Sequence, residues 1–391
     1  MDPAQSPLAP RQLTLAEHFE ALQQRAAERD PRGPARALFA VVLALIGIGF
    51  LLQVAHAATT VPREFLVAEL RELLVFRGTG LALLLAAWWI GPARLAPFVP
   101  ALTVLVLFAL VAVYLPVLGA PRNGSHRWIK LPGLDFGLQP SEFARVLLVL
   151  WVARRCVLLG PRIGEWRRGF LPTLAVGFGA FTLVFLEPDL GGSVLLLLCF
   201  GATLFAGGAR MNHVVMTCSS LGGAAVLFGL TRFGHIRERI AVWTGDATND
   251  QVRRSAEAMA SGDLLGVGLG QGLYRNASLQ YMQTDYALAL VGEELGLLGV
   301  LLVVGLFAAF IWHAFRLVLA VEDRFSALVA FGLTISVGFQ AMLHLQVVTG
   351  LAPPKGMALP FLSDGGSAML ASCLAVGLAL GASRSRSLAA H

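Results

Sequence analysis

The chain has 391 residues and a net charge of +6, with 56% of its residues hydrophobic and only 14% charged. With 42 glycines and a mean hydropathy of +0.71, that composition excludes a water-soluble globular protein and points to an all-α polytopic integral membrane protein. Four cysteines without C-x-x-C spacing and eight histidines without an H-E-x-x-H pair signal neither a disulfide framework nor a metal site.

Residues 1–35 are polar, carry Arg11, Arg25, Arg29 and Arg32, and lack the apolar core of a cleavable signal, so a cytoplasmic tail is expected. Runs of roughly 20 apolar residues then predict helices near 36–57, 73–91, 97–119, 141–159, 170–187, 189–207, 213–231, 295–316, 325–350 and 359–383. About ten transmembrane helices bring both termini to one side. The arginines of the tail, of the even-to-odd connections and of the short tail 384–391 mark that side as cytoplasmic. On this reading 232–284 is a large extracytoplasmic loop between the seventh and eighth spans, and 36–383 is a single membrane domain. The apolar stretch 284–320 is too long for one span, about 52 Å at 1.5 Å per residue. Glu293-Glu294 are therefore expected at the outer edge of the eighth span, with 284–292 packed above it and lining an outward-facing cavity.

Polar residues stand in five places where lipid should forbid them. The first is Asn123-Gly-Ser-His-Arg-Trp-Ile-Lys with Gln139-Pro-Ser-Glu-Phe-Ala-Arg145. Arg127 beside Trp128 suits a headgroup anchor, and Ser141 with Glu142 suits a helix cap. Glu142 and Arg145, three residues apart, either pair with each other or receive an ionic ligand. The second, Glu187-Pro-Asp-Leu-Gly-Gly-Ser193, reads as a tight turn. The third holds Arg237 and Arg239, suited to phosphates and lipid headgroups or to a solvated face, followed by the glycine-rich stretch 261–272. That glycine run does not match the nucleotide-binding G-x-G-x-x-G pattern after a strand. In the fourth, Thr284-Asp285-Tyr286 leads to Glu293-Glu294; Asp285 is either an N-cap or a general base beside a bound phosphate. The fifth runs from Pro353-Pro-Lys-Gly356 to Ser363-Asp-Gly-Gly-Ser367. Its prolines and glycines break a helix and leave backbone groups in need of partners, as in a cavity lining, with Lys355 an anchor or an anion contact.

Taken in order, NGSHRWI at 123–129, QPSEFAR at 139–145, EPDLGGS at 187–193, RERI at 237–240, SGDLLGVGLGQG at 261–272, TDYALALVGEELGLLG at 284–299 and PPKGMALPFLSDGGS at 353–367 resemble the shape, elongation, division and sporulation (SEDS) family, which includes RodA and FtsW. The resemblance covers about 36–383. It implies a peptidoglycan glycosyltransferase that polymerises lipid II into β-1,4 glycan strands at the outer face of the cytoplasmic membrane, by inversion. The family's essential aspartate falls on Asp285, the implied general base. Lys355, Arg127, Arg145, Arg237 and Arg239 are the implied anion clamp, with Glu142, Glu293 and Ser367 also at the substrate. Implied partners are lipid II, the nascent strand, membrane lipids and a single-span class B penicillin-binding protein; nucleic acid is not expected. No cofactor is required by the motifs, and a divalent cation is left open. The chain departs from the family pattern at Gln280-Tyr-Met-Gln283, where Pro-Glu-x-His is usual. It departs again at Arg145 for Lys, His344 for Asn and Asp364 for Tyr. A lipid II flippase and an inactive scaffold are the competing readings; outward gathering of the charges disfavours the first and retention of Asp285 the second.

Overall fold

A computed structural model describes residues 30–115, 118–122, 125–130, 137–247, 249–276 and 283–385, without side chains at 120–122, 125, 126, 235, 275 and 276. The expectations for most of the N-terminal tail, for Asn123-Gly124, for Gln280–Met282 and for 386–391 lie outside these residues.

In chain order the bundle comprises α1 (Arg32–Thr60), α2 (Arg63–Ile90), α3 (Val99–Ala112), α4 (Pro140–Leu159), α5 (Leu171–Leu186), α6 (Leu190–Ala206) and α7 (Met211–Arg232). After two further helices, α8 (Gly234–Thr244) and α9 (Asp250–Ser261), come α10 (Ala287–Ala320), α11 (Arg324–Val348) and α12 (Gly366–Gly381). A small antiparallel sheet, β1 (Gly119–Arg122), β2 (Ser125–Lys130) and β3 (Gly137–Leu138), joins α3 to α4, with Ala120 opposite Trp128 and Ile129 opposite Leu138. Among the described residues, eight helical stretches are long and apolar enough to cross a membrane: α1, α2, α7, α10 and α11, and α3, α5 and α12 taken with the short helical turns continuous with them, as Pro92–Ala112, Trp166–Leu186 and Gly366–Arg384. Helices α4 and α6 stand where the fourth and sixth spans are expected but are not among these eight: α4 carries Glu142, Arg145, Arg154 and Arg155, and α6 is an apolar helix of 17 residues.

The differences from expectation have physical causes. Helix α2 starts ten residues early, because a helix tolerates Glu64, Glu69, Arg71 and Glu72 where a hydropathy reading stops. Helix α3 ends at Ala112, not 119, and the chain turns into the sheet. Helix α12 begins at Gly366, not 359; Pro360 and the glycines keep the apolar segment before it from coiling. Among its described residues the expected loop 232–284 holds α8, α9 and the short helix Leu273–Asn276. The break expected between 284–292 and the eighth span is a kink at Gly296, φ 66° and ψ −164°.

That kink frees backbone groups that lipid cannot satisfy. The glycine-rich stretch supplies the partners: Val267 and Gly268 N–H donate to the carbonyls of Glu293 and Glu294 at 3.0 and 3.1 Å, and Leu297 and Leu298 N–H donate to Asp263 and Leu264 at 2.9 and 3.2 Å. Gly266, at φ 81°, lies so close to Leu295 N that a Cβ there would stand 2.6 Å from it. Burial identifies the central helices. In α11 and the α12 region 72% and 78% of the apolar window is buried, against 22–44% in the other spans. Leu227, Phe108 and Trp312 remain exposed on the outer helices, as side chains in lipid would be.

Candidate functional site

The polar residues gather at one end of the bundle, where the sheet, the α5–α6 turn, α8 and the irregular segment 349–365 meet. Asp189 caps α6, its carboxylate accepting the Gly192 N–H at 2.9 Å. From β2, Arg127 reaches across this turn. Its Nε donates to the Glu187 carbonyl at 3.1 Å and its terminal nitrogen to the Pro188 carbonyl at 2.6 Å, and the guanidinium lies 3.9 Å from the Asp189 carboxylate. The sheet thus pins one cation onto a turn that offers it three oxygens.

Lys355 and Gly356 lie between this turn and Asp285. A Cβ on Gly191 would stand 3.2 Å from Lys355 Cδ and 3.7 Å from Asp189 Oδ1, and a Cβ on Gly356 would stand 2.7 Å from Asp285 Oδ2. Any side chain at 356 would displace the Asp285 carboxylate. Arg239, on α8, sits within the field of Asp189, Asp285, Tyr286 and Arg127. The irregular segment carrying Lys355 and Gly356 is held from α11: Gln340 Nε2 donates to the Ala358 carbonyl at 3.0 Å and His344 Nδ1 meets the Met357 carbonyl at 2.7 Å. Since a carbonyl only accepts, the His344 proton sits on Nδ1.

The resulting electrostatics depart from water. Burial pushes the Asp285 carboxyl up to about 6 although Arg239 and Arg127 pull it down. Burial lowers Lys355 to about 8 against the support of Asp189, and Arg239 adds to the lowering. Arg239 itself is lowered, first by burial and then by Arg127. Glu187 is raised to about 9, by burial and then by the neighbouring Asp189. The site therefore holds a base and a cation that both titrate near neutrality, which suits proton transfer beside an anion.

The structure thus brings Asp285, Arg127, Arg239 and Lys355 together. Glu142 and Arg145 pair with each other at 3.0 Å at the start of α4, with Asp189 acting on Glu142. Arg237 is exposed, two residues from Arg239 and so on another face of α8. Glu293 is fully buried and accepts the Tyr274 N–H at 2.8 Å, within the packing of the glycine-rich stretch on α10. Ser367 accepts the Gln139 N–H at 3.0 Å and donates to the Gly137 carbonyl at 3.4 Å, tying α12 to the sheet. Asp189 was not singled out by sequence reasoning, which read its motif as a turn; the signal was an acid beside Pro188 at a junction of apolar helices. Tyr286, 5% exposed next to Asp285, gave no signal beyond its position. Among the described residues no three His, Cys, Asp or Glu side chains are grouped to hold a metal ion.

Residues 35–388 match the model of the FtsW, RodA and SpoVE family of cell cycle proteins. The chain belongs to that family. It is 36% identical over 290 residues to stage V sporulation protein E of Bacillus subtilis, covering 72% of this chain and 78% of that protein. It is 34% identical over 369 residues to a probable peptidoglycan glycosyltransferase FtsW of Thioalkalivibrio sulfidiphilus, covering 92% and 90%. In fold it is similar to the rod shape determining protein RodA of Thermus thermophilus, with a TM-score of 0.65 at 25% identity over 89% of this chain and 95% of that one. It is also similar to a chain of a peptidoglycan synthase complex described as coordinating polymerization and crosslinking, with a TM-score of 0.72 at 26% identity over 89% and 96%.

Proposed function

We propose that this protein is a peptidoglycan glycosyltransferase of the cytoplasmic membrane that polymerises lipid II, with Asp285 as its base. The carrying observation is the carboxylate of Asp285, held against Gly356 and within the field of Arg239 and Arg127, with Lys355 the residue before Gly356 on the same irregular segment. The acceptor 4-hydroxyl gives its proton to the Asp285 carboxylate as its oxygen bonds to the anomeric carbon of the donor. The bond from that carbon to the phosphate oxygen breaks, and the lipid pyrophosphate leaves with the electron pair. Charge grows on the pyrophosphate in the transition state, where Lys355, Arg239 and Arg127 stabilise it. A single base serves inversion, which needs no carboxylate nucleophile. Glu142 with Arg145 backs this cluster from α4.

Arginines 94, 162, 167, 168, 210, 324 and 384 lie at or near the turns of the opposite end, and an excess of positive charge marks the cytoplasmic side. The site accordingly faces outward and both termini inward, with membrane domain 36–383 flanked by short tails. A crosslinking penicillin-binding protein is the partner that the kinship with a synthase complex supports.

The test is polymerisation of labelled lipid II by the purified protein, alone and with its partner carrying an inactivated transpeptidase, compared with Asp285→Ala. Glycan ladders from the wild type that vanish in a folded, partner-binding variant are expected. Absence of ladders from the wild type with the partner bound would overturn the proposal.

A further inference from the structure

The Asp285 turn is fastened from one side by a set of hydrogen bonds that the proton-transfer chemistry does not use. Both carbonyls immediately before Asp285 are engaged. The Gln283 carbonyl accepts the Asp364 N–H at 2.9 Å and the Gln53 Nε2 at 3.1 Å, and the Thr284 carbonyl accepts the Ser363 hydroxyl at 2.7 Å. The same hydroxyl accepts the Leu359 N–H at 2.7 Å, and the Gln53 amide also donates to the Leu362 carbonyl at 3.3 Å. Because every partner of the Gln53 amide nitrogen is a carbonyl, its orientation is fixed.

The support behind these bonds is close-packed. Gln53 is 2% exposed and Ser363 3% exposed. Gly49, one helical turn before Gln53 on the same face of α1, lies so near the chain that a Cβ would stand 2.6 Å from the Phe361 carbonyl and 2.7 Å from Leu362 Cα. Phe361 holds φ 68°, outside the usual range for a non-glycine residue, and its buried ring meets Phe310 at 6.5 Å between centroids. A strained backbone of this kind persists only where its surroundings over-determine it. Thus α1 presses on turn 359–364, and that turn grips turn 283–286, while Gly356 bounds the Asp285 carboxylate on the other side.

We infer that Gln53 and Ser363 are positioning residues, which lock the backbone before Asp285 so that its carboxylate is held against Gly356, the residue that follows Lys355. The inference rests on the base role proposed for Asp285. Neither residue meets the substrate; each acts through the two carbonyls it engages. Ser363 is the more sensitive, because one hydroxyl serves as acceptor for one turn and donor to the other. Gln283 enters the lock through its backbone carbonyl, which any residue at that position supplies.

The experiment uses the full-length protein with its partner, and compares Ser363→Ala, Ser363→Thr and Gln53→Leu with the wild type. Two readouts are taken: polymerisation kinetics on lipid II, and hydrogen–deuterium exchange over 283–287 and 359–364. Ser363→Ala is expected to lower kcat by about 30-fold with KM within about 2-fold, as for a displaced reacting group, and to speed exchange at Leu359 and in the Asp285 turn. Ser363→Thr, which keeps the hydroxyl, recovers most of both, and Gln53→Leu reproduces the loss. Faster exchange with unchanged kcat overturns the positioning role, and unchanged exchange overturns the lock itself. If the wild type makes no polymer, the base role fails, and the exchange measurement still decides whether the lock exists.

Discussion

Asp285→Asn separates what the carboxylate does for catalysis from what it costs the fold. The Asp285 carboxyl stands at about 6 in the protein against 3.8 in an unperturbed chain. A group raised in this way contributes stability that is complete below the lower value and is lost as the pH rises through the upper one. At about pH 7 the loss is ~3 kcal/mol from about 1.4 kcal/mol per pH unit, and ~2 kcal/mol after allowing for solvent screening of a half-buried group. Asparagine does not ionise, and it keeps an oxygen for the contacts of the carboxylate. The variant is therefore expected to unfold about 3–5 °C above wild type near pH 7.5 in detergent, with a gain several-fold smaller near pH 4.5. Glycan synthesis should fall by about 10²–10⁴-fold under the same conditions. A variant with the same thermal gain at both pH values, or one less stable than wild type near pH 7.5, would refute the electrostatic reasoning whatever its activity.

The same groups set a pH profile for kcat/KM: activity rises as Asp285 loses its proton near 6 and falls as Lys355 loses its own near 8, and a profile flat across that range would remove both from the rate. On α8, Arg239→Ala is expected to lower polymerisation by about 10²-fold while Arg237→Ala stays within about 2-fold, because only Arg239 shares the field of Asp285; equal losses would mean the helix contributes by charge alone. Glu187, raised to about 9 from 4.5, withholds stability as the pH climbs from the lower value towards the upper one. Glu187→Gln should raise the melting temperature near neutral pH and leave activity within about 2-fold, as read by thermal unfolding and the ladder assay.

What the sequence revealed and what it hid divide along physical lines. Most apolar helices were legible because an apolar run of about 20 residues has few alternatives in lipid, and a break within 284–320 was legible because that stretch was too long for one span; that it falls at Gly296 was not. The extent of α2 was not, since Glu64, Glu69, Arg71 and Glu72 interrupt the apolar signal without interrupting the helix. The motif singled out Asp285, which the structure places against Gly356 and in the field of Arg239 and Arg127. Arg239 and Arg237 were indistinguishable in sequence, because which face of a short helix meets the site is decided by packing. Glu293 is a carboxyl side chain like Asp285, yet the Tyr274 N–H claims it. Gln53 lay unremarked in an apolar helix more than 200 residues from the turn it engages. No local pattern distinguishes it from a lipid-facing amide.

Irregular backbone and the charges of the candidate site occur together here for one reason. Helices satisfy their own carbonyls and amides, so a bundle made only of unbroken helices presents lipid and neighbours with side chains and little else. The segments 283–286, 349–365 and the α5–α6 turn are unwound, and each must find partners for its backbone. It finds them in the others: Asp364 on Gln283, Arg127 on Glu187 and Pro188, Gln340 on Ala358. Those mutual bonds bring Asp285, Lys355 and Arg127, carried on or above the unwound segments, within reach of one another. Closing the backbone's hydrogen bonds and assembling the site are consequently one event, and a substitution that frees one of these carbonyls is expected to disturb catalysis before it disturbs the helices.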